Sequence, residues 1–195
     1  MLTLIQDTFQ RLFYILPLKP RQVQIEITNR CNMDCPMCPR EVLDIELEHM
    51  DWDKFITVVD KLNERESITL TGWGEPFLHP RIFDMIAYCK EGGHRVMITS
   101  NGLFSNELIV KNILNSRLDE ITFSIDGVED NNVSNGHTSN KVYENIEKVA
   151  KLREIGKPSI RLQATLHEGC EKDLYNVIKF GARIGIEAVN VGRID

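Results

Sequence analysis

Six short runs rich in β-branched residues alternate along this chain with longer stretches of helical period, and that rhythm limits the fold more than any other feature. The runs cover residues 23–28, 67–71, 95–99, 120–125, 159–166 and 188–191. Several are almost continuously apolar, as expected of parallel strands covered on both faces. Between them the helix signals are local. Asp51 is placed to cap a helix whose inner face is Trp52, Phe55, Val59 and Leu62. Pro80 and Gly92-Gly93 bracket a second helix. Ser105 opens a third, with Leu108, Ile109 and Ile113 inward, and Ser139 caps a fourth, with Val142, Ile146 and Val149 inward and Gly156 and Pro158 closing it. A fifth runs from about Lys172 to Arg183 and stops before Gly185. Repeated strand–helix units imply right-handed crossovers and a parallel sheet. Periodicity does not choose between an open doubly wound sheet and a partial barrel. In either, ligands bind at the carboxyl ends of the strands.

At 195 residues the chain suits one domain with a real core. Its 42% hydrophobic and 27% charged residues are ordinary for a globular protein. A net charge of −6 argues against a sequence-independent nucleic-acid or anionic-membrane surface. No run approaches the roughly 20 apolar residues of a membrane span. Residues 2–18 are apolar but include Gln6, Asp7, Gln10 and Arg11, with neither a basic start nor a small-residue cleavage site, so they are not read as a signal peptide. The expectation is an amphipathic helix over residues 4–16, ended by Pro17 and Pro20. Residues 1–21 are then an N-terminal helix and linker, and residues 22–195 the core domain.

Three of the five cysteines fall within eight residues, Cys31-Asn-Met-Asp-Cys35-Pro-Met-Cys38, directly after the first strand run. An odd, crowded set is a poor disulfide framework and a good metal site, which places the chain in a reducing cytoplasm. Thiolates select zinc, copper(I) or iron–sulfur clusters. Three ligands leave an iron–sulfur cubane with one open iron, as a catalytic zinc keeps one open position. A structural zinc would need His49 or a distant cysteine as its fourth ligand, and no second cysteine knuckle exists. Arg30 and Arg40 flank the thiolates and are expected to favour their ionised form. Cys89 reads as a small buried hydrophobe, and Cys170 lies near a helix start, where a thiol pKa is lowered. His79, His94, His137 and His167 show no ligand spacing and read as surface or loop residues.

Other chemistry-bearing residues fall at strand ends. The second strand ends Thr71-Gly72-Trp73-Gly74-Glu75-Pro76: paired glycines let backbone carbonyls approach a ligand, and a carboxylate held by a rigid turn suits an ammonium group. The third ends Thr99-Ser100-Asn101-Gly102 and the fourth Ser124-Ile125-Asp126-Gly127, offering hydroxyl, amide and carboxylate groups able to bind sugar hydroxyls. Taken singly, each is more often a turn signal than a binding site.

The cysteine loop, with its preceding strand, resembles the cluster-binding loop of the radical S-adenosylmethionine (radical SAM) family. Gly72-Trp73-Gly74-Glu75-Pro76 resembles that family's Gly-Gly-Glu-Pro motif for the methionine amino group, with Trp73 as a departure. The resemblance extends from about Gln22 to Asp195. It implies a partial (β/α)6 TIM-like barrel of parallel strands with an extra N-terminal helix. It implies a 4Fe-4S cluster on Cys31, Cys35 and Cys38. SAM would lie against Gly72, Gly74, Glu75, Ser100, Asn101, Ser124, Asp126, Gln163 and the backbone near Val191. Met37 replaces a common aromatic residue. The arginine that often pairs with the SAM carboxylate is missing from residues 128–140, leaving Lys141, Arg161 or Arg193. The implied activity is oxidoreductase-like: SAM chelates the open iron by its amine and carboxylate, reduction cleaves a carbon–sulfur bond, and a 5′-deoxyadenosyl radical abstracts a substrate hydrogen. The implied partners are an electron donor such as a flavodoxin or ferredoxin and a peptide or small-molecule substrate, the cysteine loop looking like those of peptide-modifying and alcohol-dehydrogenating subgroups. Two rival readings stand beside it: a zinc-stabilised, non-catalytic binding module, and a truncated radical SAM domain that binds cofactor without coupled turnover. The second is suggested by the end at Asp195, shortly after the last strand, which sets the expectation of a water-exposed site.

Overall fold

The computed structural model describes residues 21–63, 66–126, 140–154 and 157–193. The helix expected over 4–16, Ser139 and His137 lie outside these residues. Six strands, β1 (Gln22–Ile25), β2 (Ser67–Leu70), β3 (Arg95–Ser100), β4 (Glu120–Ser124), β5 (Ser159–Leu166) and β6 (Ala188–Arg193), form one sheet in sequence order. All neighbours are parallel. Among the described residues the helices are α1 (Trp52–Val59), α2 (Ile82–Glu91), α3 (Glu107–Asn115), α4 (Asn140–Leu152) and α5 (Glu171–Arg183). Consecutive parallel strands joined by crossovers of one hand place every helix on the same face. The architecture is α/β, the partial (β/α)6 barrel.

The core lies between that face and the helices. Ile68, Leu70, Val96, Ile98, Ile121, Phe123, Ile160 and Leu162 from the strands meet Phe55, Met85, Ile86, Ile113, Val142, Ile146, Val149 and Val177 from the helices. The opposite face is polar: along β3, Arg95, Met97 and Thr99 are exposed or half-buried while Val96, Ile98 and Ser100 are buried. Among the described residues, coverage on both faces, expected from the apolar runs, is seen on one face.

Asp51 caps α1 as its position predicts, accepting from the Asp53 and Lys54 amides. The third helix differs by one residue. Asn106, not Ser105, is its cap, with Oδ1 accepting from Ile109 N at 3.2 Å. Val110 and Ile113 are consequently buried and Leu108 is 60% exposed. His79 and His94 lie in connecting segments, as the surface-or-loop reading allows, but are buried rather than at the surface. His79 Nε2 meets Met50 O and its Nδ1 accepts from Arg81 N, while His94 Nδ1 meets Glu66 O, so backbone partners offset the cost of burial. Burial pushes the Cys89 thiol up to about 12, in keeping with a core role. No helix among the described residues is long and apolar enough to cross a membrane.

The amino ends of the strands carry a repeated device. Asp119, just before β4, accepts from Val96 N in β3 at 2.8 Å and from Lys90 Nζ of α2 at 2.6 Å. Glu187, just before β6, accepts from Ile160 N in β5 at 2.9 Å and from Arg153, just after α4, at 2.6 Å. Each acid satisfies a strand amide and binds the end of the helix leading into that strand. Removing it leaves a part-buried donor unpaired, which costs about 1–3 kcal/mol. Asp119→Ala and Glu187→Ala should each lower unfolding free energy by that amount in urea titration, with the unfolding slope unchanged.

Candidate functional site

Beyond Ile25 the chain leaves the ladder and turns across the carboxyl edge of the sheet. Thr28 pairs antiparallel with His49. Thr28 Oγ1 donates to Glu48 O, Asn29 Nδ2 to Glu46 O, and an Arg30 guanidinium nitrogen to Leu47 O at 2.7 Å. The returning segment is thus tied to the strand end, closing the base of the loop that carries Cys31, Cys35 and Cys38.

The three thiols are half-buried. Cys38 N donates to Cys35 O at 2.8 Å, then opens a short 3-10 turn over Pro39–Glu41. That turn returns Arg40 beneath the loop, its guanidinium donating to Met33 O at 2.7 Å and Asp34 Oδ1 at 3.1 Å. Burial is the main influence on the free thiols and raises both Cys31 and Cys35, the latter to about 11. Cys31, Cys38 and Asp126 push Cys35 further up, while the Arg40 charge pulls both back. The expected assistance from arginine is therefore real for Arg40 but outweighed. Arg30 is spent on Leu47.

Glu75 joins this loop to β2 and β3. Its amide donates to Arg30 O at 2.8 Å. Its carboxylate is 3% exposed and accepts from Phe77 N (3.1 Å), Ser100 Oγ (3.0 Å) and Asn101 N (2.7 Å). Burial lifts the carboxyl to about 7 against the pull of those three donors. Asn101 then reaches the cysteine loop, its Nδ2 donating to Asn32 Oδ1 at 2.8 Å and to Cys31 Sγ at 3.6 Å. Glu75 and Ser100 are thus engaged with the protein itself, and Asn101 stands between them and the thiols.

The glycines of the turn make room for the chain. A Cβ on Gly74 would lie 2.3 Å from Thr28 O and 2.6 Å from Arg30 O. On Gly72 it would strike Glu26, whose Oε1 accepts from Trp73 N at 2.6 Å. Phe77, Phe104 and Phe123 pack edge-on or tilted beneath the turns, with centroids 5.2 and 6.3 Å apart.

On the other half of the sheet the register aligns Ser124, Gln163 and Asn190 in one row on the face away from the helices. All three are exposed. None makes a side-chain hydrogen bond within the described residues. Asp126 accepts from Thr165 N at 2.8 Å and lies near enough to Cys35 to raise its thiol. Val191 pairs with Ala164, whose side chain is buried on the helix side, so only backbone from Val191 faces this row. Asn190 and Glu26 escaped sequence reading, although strand alternation from Ala188 and Gln24 marks both. Arg161 lies one row below Gln163 and pairs with Glu120. Lys141 lies on α4.

The donor set fits an iron–sulfur cluster. Three thiols share one loop; Cys31 receives a side-chain N–H from Asn101, and the Arg40 charge acts on Cys31 and Cys35. Cysteine thiolates are the ligand type that iron–sulfur clusters take. Two outcomes follow from the turn. Gly74→Ala should cost about 1–3 kcal/mol or more, since the clash is with backbone, and thermal melting of the purified variant measures it. Glu75 takes up its proton more readily folded than unfolded, so its contribution is full below about 4.5 and is lost as pH rises through about 7. The wild-type chain should lose up to about 3 kcal/mol over that window, and Glu75→Gln should lack that slope in stability measured at pH 5, 6, 7 and 8.

The Radical SAM superfamily model matches residues 25–167, well over half of the chain. A tungsten-containing aldehyde ferredoxin oxidoreductase cofactor-modifying protein of Pyrococcus furiosus is 31% identical over 183 residues, covering 89% of this chain and 51% of that protein. A PqqA peptide cyclase of Methylorubrum populi is 26% identical over 171 residues, covering 85% and 44%. The chain therefore spans about half the length of these relatives. Among solved structures, Streptococcus suis SuiB bound to S-adenosylmethionine superposes with a TM-score of 0.77 at 17% identity, over 96% of this chain and 44% of that one, a likeness of fold. This chain belongs to the radical SAM superfamily, enzymes that work with a 4Fe-4S cluster and SAM.

Proposed function

We propose that this chain is the catalytic core of a radical SAM enzyme, with Cys31, Cys35 and Cys38 holding the cluster and the adjoining strand ends holding SAM. The observation that carries this reading is the tie between the three-thiol loop and the ends of β2 and β3 through Asn101 and Glu75. When bound, the cluster and SAM supply reductive cleavage of SAM and hydrogen abstraction from a substrate.

The chain's residues divide that task. Arg40 sets a positive charge beside the thiolates, stabilising the deprotonated form that a metal requires. Asn101 donates to Cys31 Sγ, an outer contact of the kind that tunes a metal ligand. Glu75 and Ser100 fix the turn at Gly72–Gly74, so its carbonyls and the Glu75 backbone are the groups offered to the SAM ammonium. Ser124, Asp126 and Gln163 offer hydroxyl, carboxylate and amide to the sugar and amino-acid parts. Backbone at Val191 would border the base. The strands place these groups rigidly, so little ordering accompanies binding. An electron donor such as a flavodoxin or ferredoxin would supply the reducing equivalent, and a peptide substrate is in keeping with the peptide cyclase relative.

Anaerobic reconstitution tests the assignment. The wild-type chain should take up about four irons and four sulfides and bind SAM. Alanine at Cys31, Cys35 or Cys38 should abolish the charge-transfer absorption. Alanine at Cys89 or Cys170, both buried and remote in sequence from the loop, should preserve it. Equal loss in those two variants would remove the three-ligand assignment.

A further inference from the structure

The interior of a closed parallel barrel is filled by branched apolar side chains. Here the corresponding face carries a different set. Register places Gln24, Thr69, Met97, Glu120 and Ser159 in one row, Thr99, Thr122, Arg161 and Ala188 in the next, and Ser124, Gln163 and Asn190 above them. Such a face is built to be wetted or to receive a polar ligand, not to pack.

Its charges are unequal. The Glu120 carboxylate is 12% exposed, and two guanidiniums share it: Arg95 donates to Oε2 at 3.0 Å, and Arg161 Nε lies 3.1 Å from Oε1. Ser159 Oγ reaches the same carboxylate at 3.5 Å. One negative charge against two positive ones leaves an uncompensated cation. Arg161 is the better placed to present it. Its Nε is buried without an aligned acceptor, and its terminal nitrogens have no partner among the described residues. The side chain nevertheless keeps 40% of its exposure. A planar guanidinium anchored along one edge and open along the other is a fork suited to a carboxylate.

We propose that this face carries a substrate-carboxylate subsite read by Arg161 and held from below by Glu120. The inference rests on the proposed function, which puts SAM at the row of Ser124 and Gln163. Arg161 stands one row lower, about 7 Å along the strand, and its tie to Glu120 draws it away from that row. It therefore faces the substrate and not the SAM carboxylate. The substrate's anionic group then lies about one strand row below the row assigned to SAM, whether as a free acid or as an acidic side chain of a peptide.

Titration calorimetry at low salt on the cluster-loaded, SAM-saturated chain tests this with three probes: glutarate, an N-acetylated, C-amidated Ala-Glu-Ala peptide, and neutral glutaramide. Glutarate, the peptide or both should bind saturably and glutaramide should not, the stronger of the two naming the source. Arg161→Gln should weaken that binding roughly tenfold or more with SAM affinity unchanged, and Arg161→Lys should keep part of it. Glu120→Gln removes the competing charge while leaving an acceptor for the arginines, so binding should tighten about threefold or more. The subsite is overturned if glutaramide binds as well as the acids, if Arg161→Gln binds them unchanged, or if that variant loses SAM instead. Should the chain take up no cluster or SAM, the proposed function fails, while the same titrations on the unloaded chain still decide the subsite.

Discussion

A single buried carboxylate holds the upper edge of this sheet together. Glu75 receives the amide of Phe77, the hydroxyl of Ser100 and the amide of Asn101, so the turn leaving β2 and the end of β3 share one acceptor. Hydrogen bonds to a charged group contribute about 1.5–3 kcal/mol each, and desolvation of the carboxylate offsets much of that, which is why burial lifts its pKa to about 7. What remains is geometric definition. With the Glu75 amide on Arg30 O and Asn101 on Asn32 and Cys31, the cysteine loop inherits its position from two neighbouring strands rather than from its own short turns.

That arrangement changes the reading of the Gly-Trp-Gly-Glu-Pro turn. From sequence, a carboxylate on a glycine-rich turn is a ligand for an ammonium group, and absent Cβ atoms are space for a cofactor. In the fold the space above Gly72 is taken by Glu26 and that above Gly74 by the carbonyls of Thr28 and Arg30. The small residues permit strand ends to approach one another. Backbone carbonyls released by that approach are the groups the turn can still offer a ligand.

The legible parts were those whose cause lies within a few residues. Cysteine spacing, the Asp51 cap and the inward face of Val142, Ile146 and Val149 follow from local period and turn chemistry, and alternation of strands with helices gave the parallel sheet. The Asn106 cap was one residue off because Ser105 and Asn106 are both capping types and only the fold decides which accepts from the helix. Contacts made across the fold were not legible. Asn101 meets Asn32 at a separation of 69 residues, and the buried Asn145 donates to Gly102 O across 43. His79 and His94 went unrecognised as interior residues for the same reason: their acceptors are backbone carbonyls on distant segments.

The two halves of the sheet edge are built on opposite terms. Around β1, β2 and β3 the polar side chains of Glu26, Thr71, Glu75, Ser100 and Asn101 are matched by other groups of the chain. Along β4, β5 and β6 the outward row of Ser124, Gln163 and Asn190 is exposed, and its side chains make no hydrogen bond within the described residues. Strand backbones hold both sets, so the difference lies not in rigidity but in satisfaction. A fully matched edge suits a cofactor that must stay in one place, since any slack would move its ligands. An unmatched edge suits a ligand that arrives and leaves, because binding then replaces water and breaks no contact within the protein.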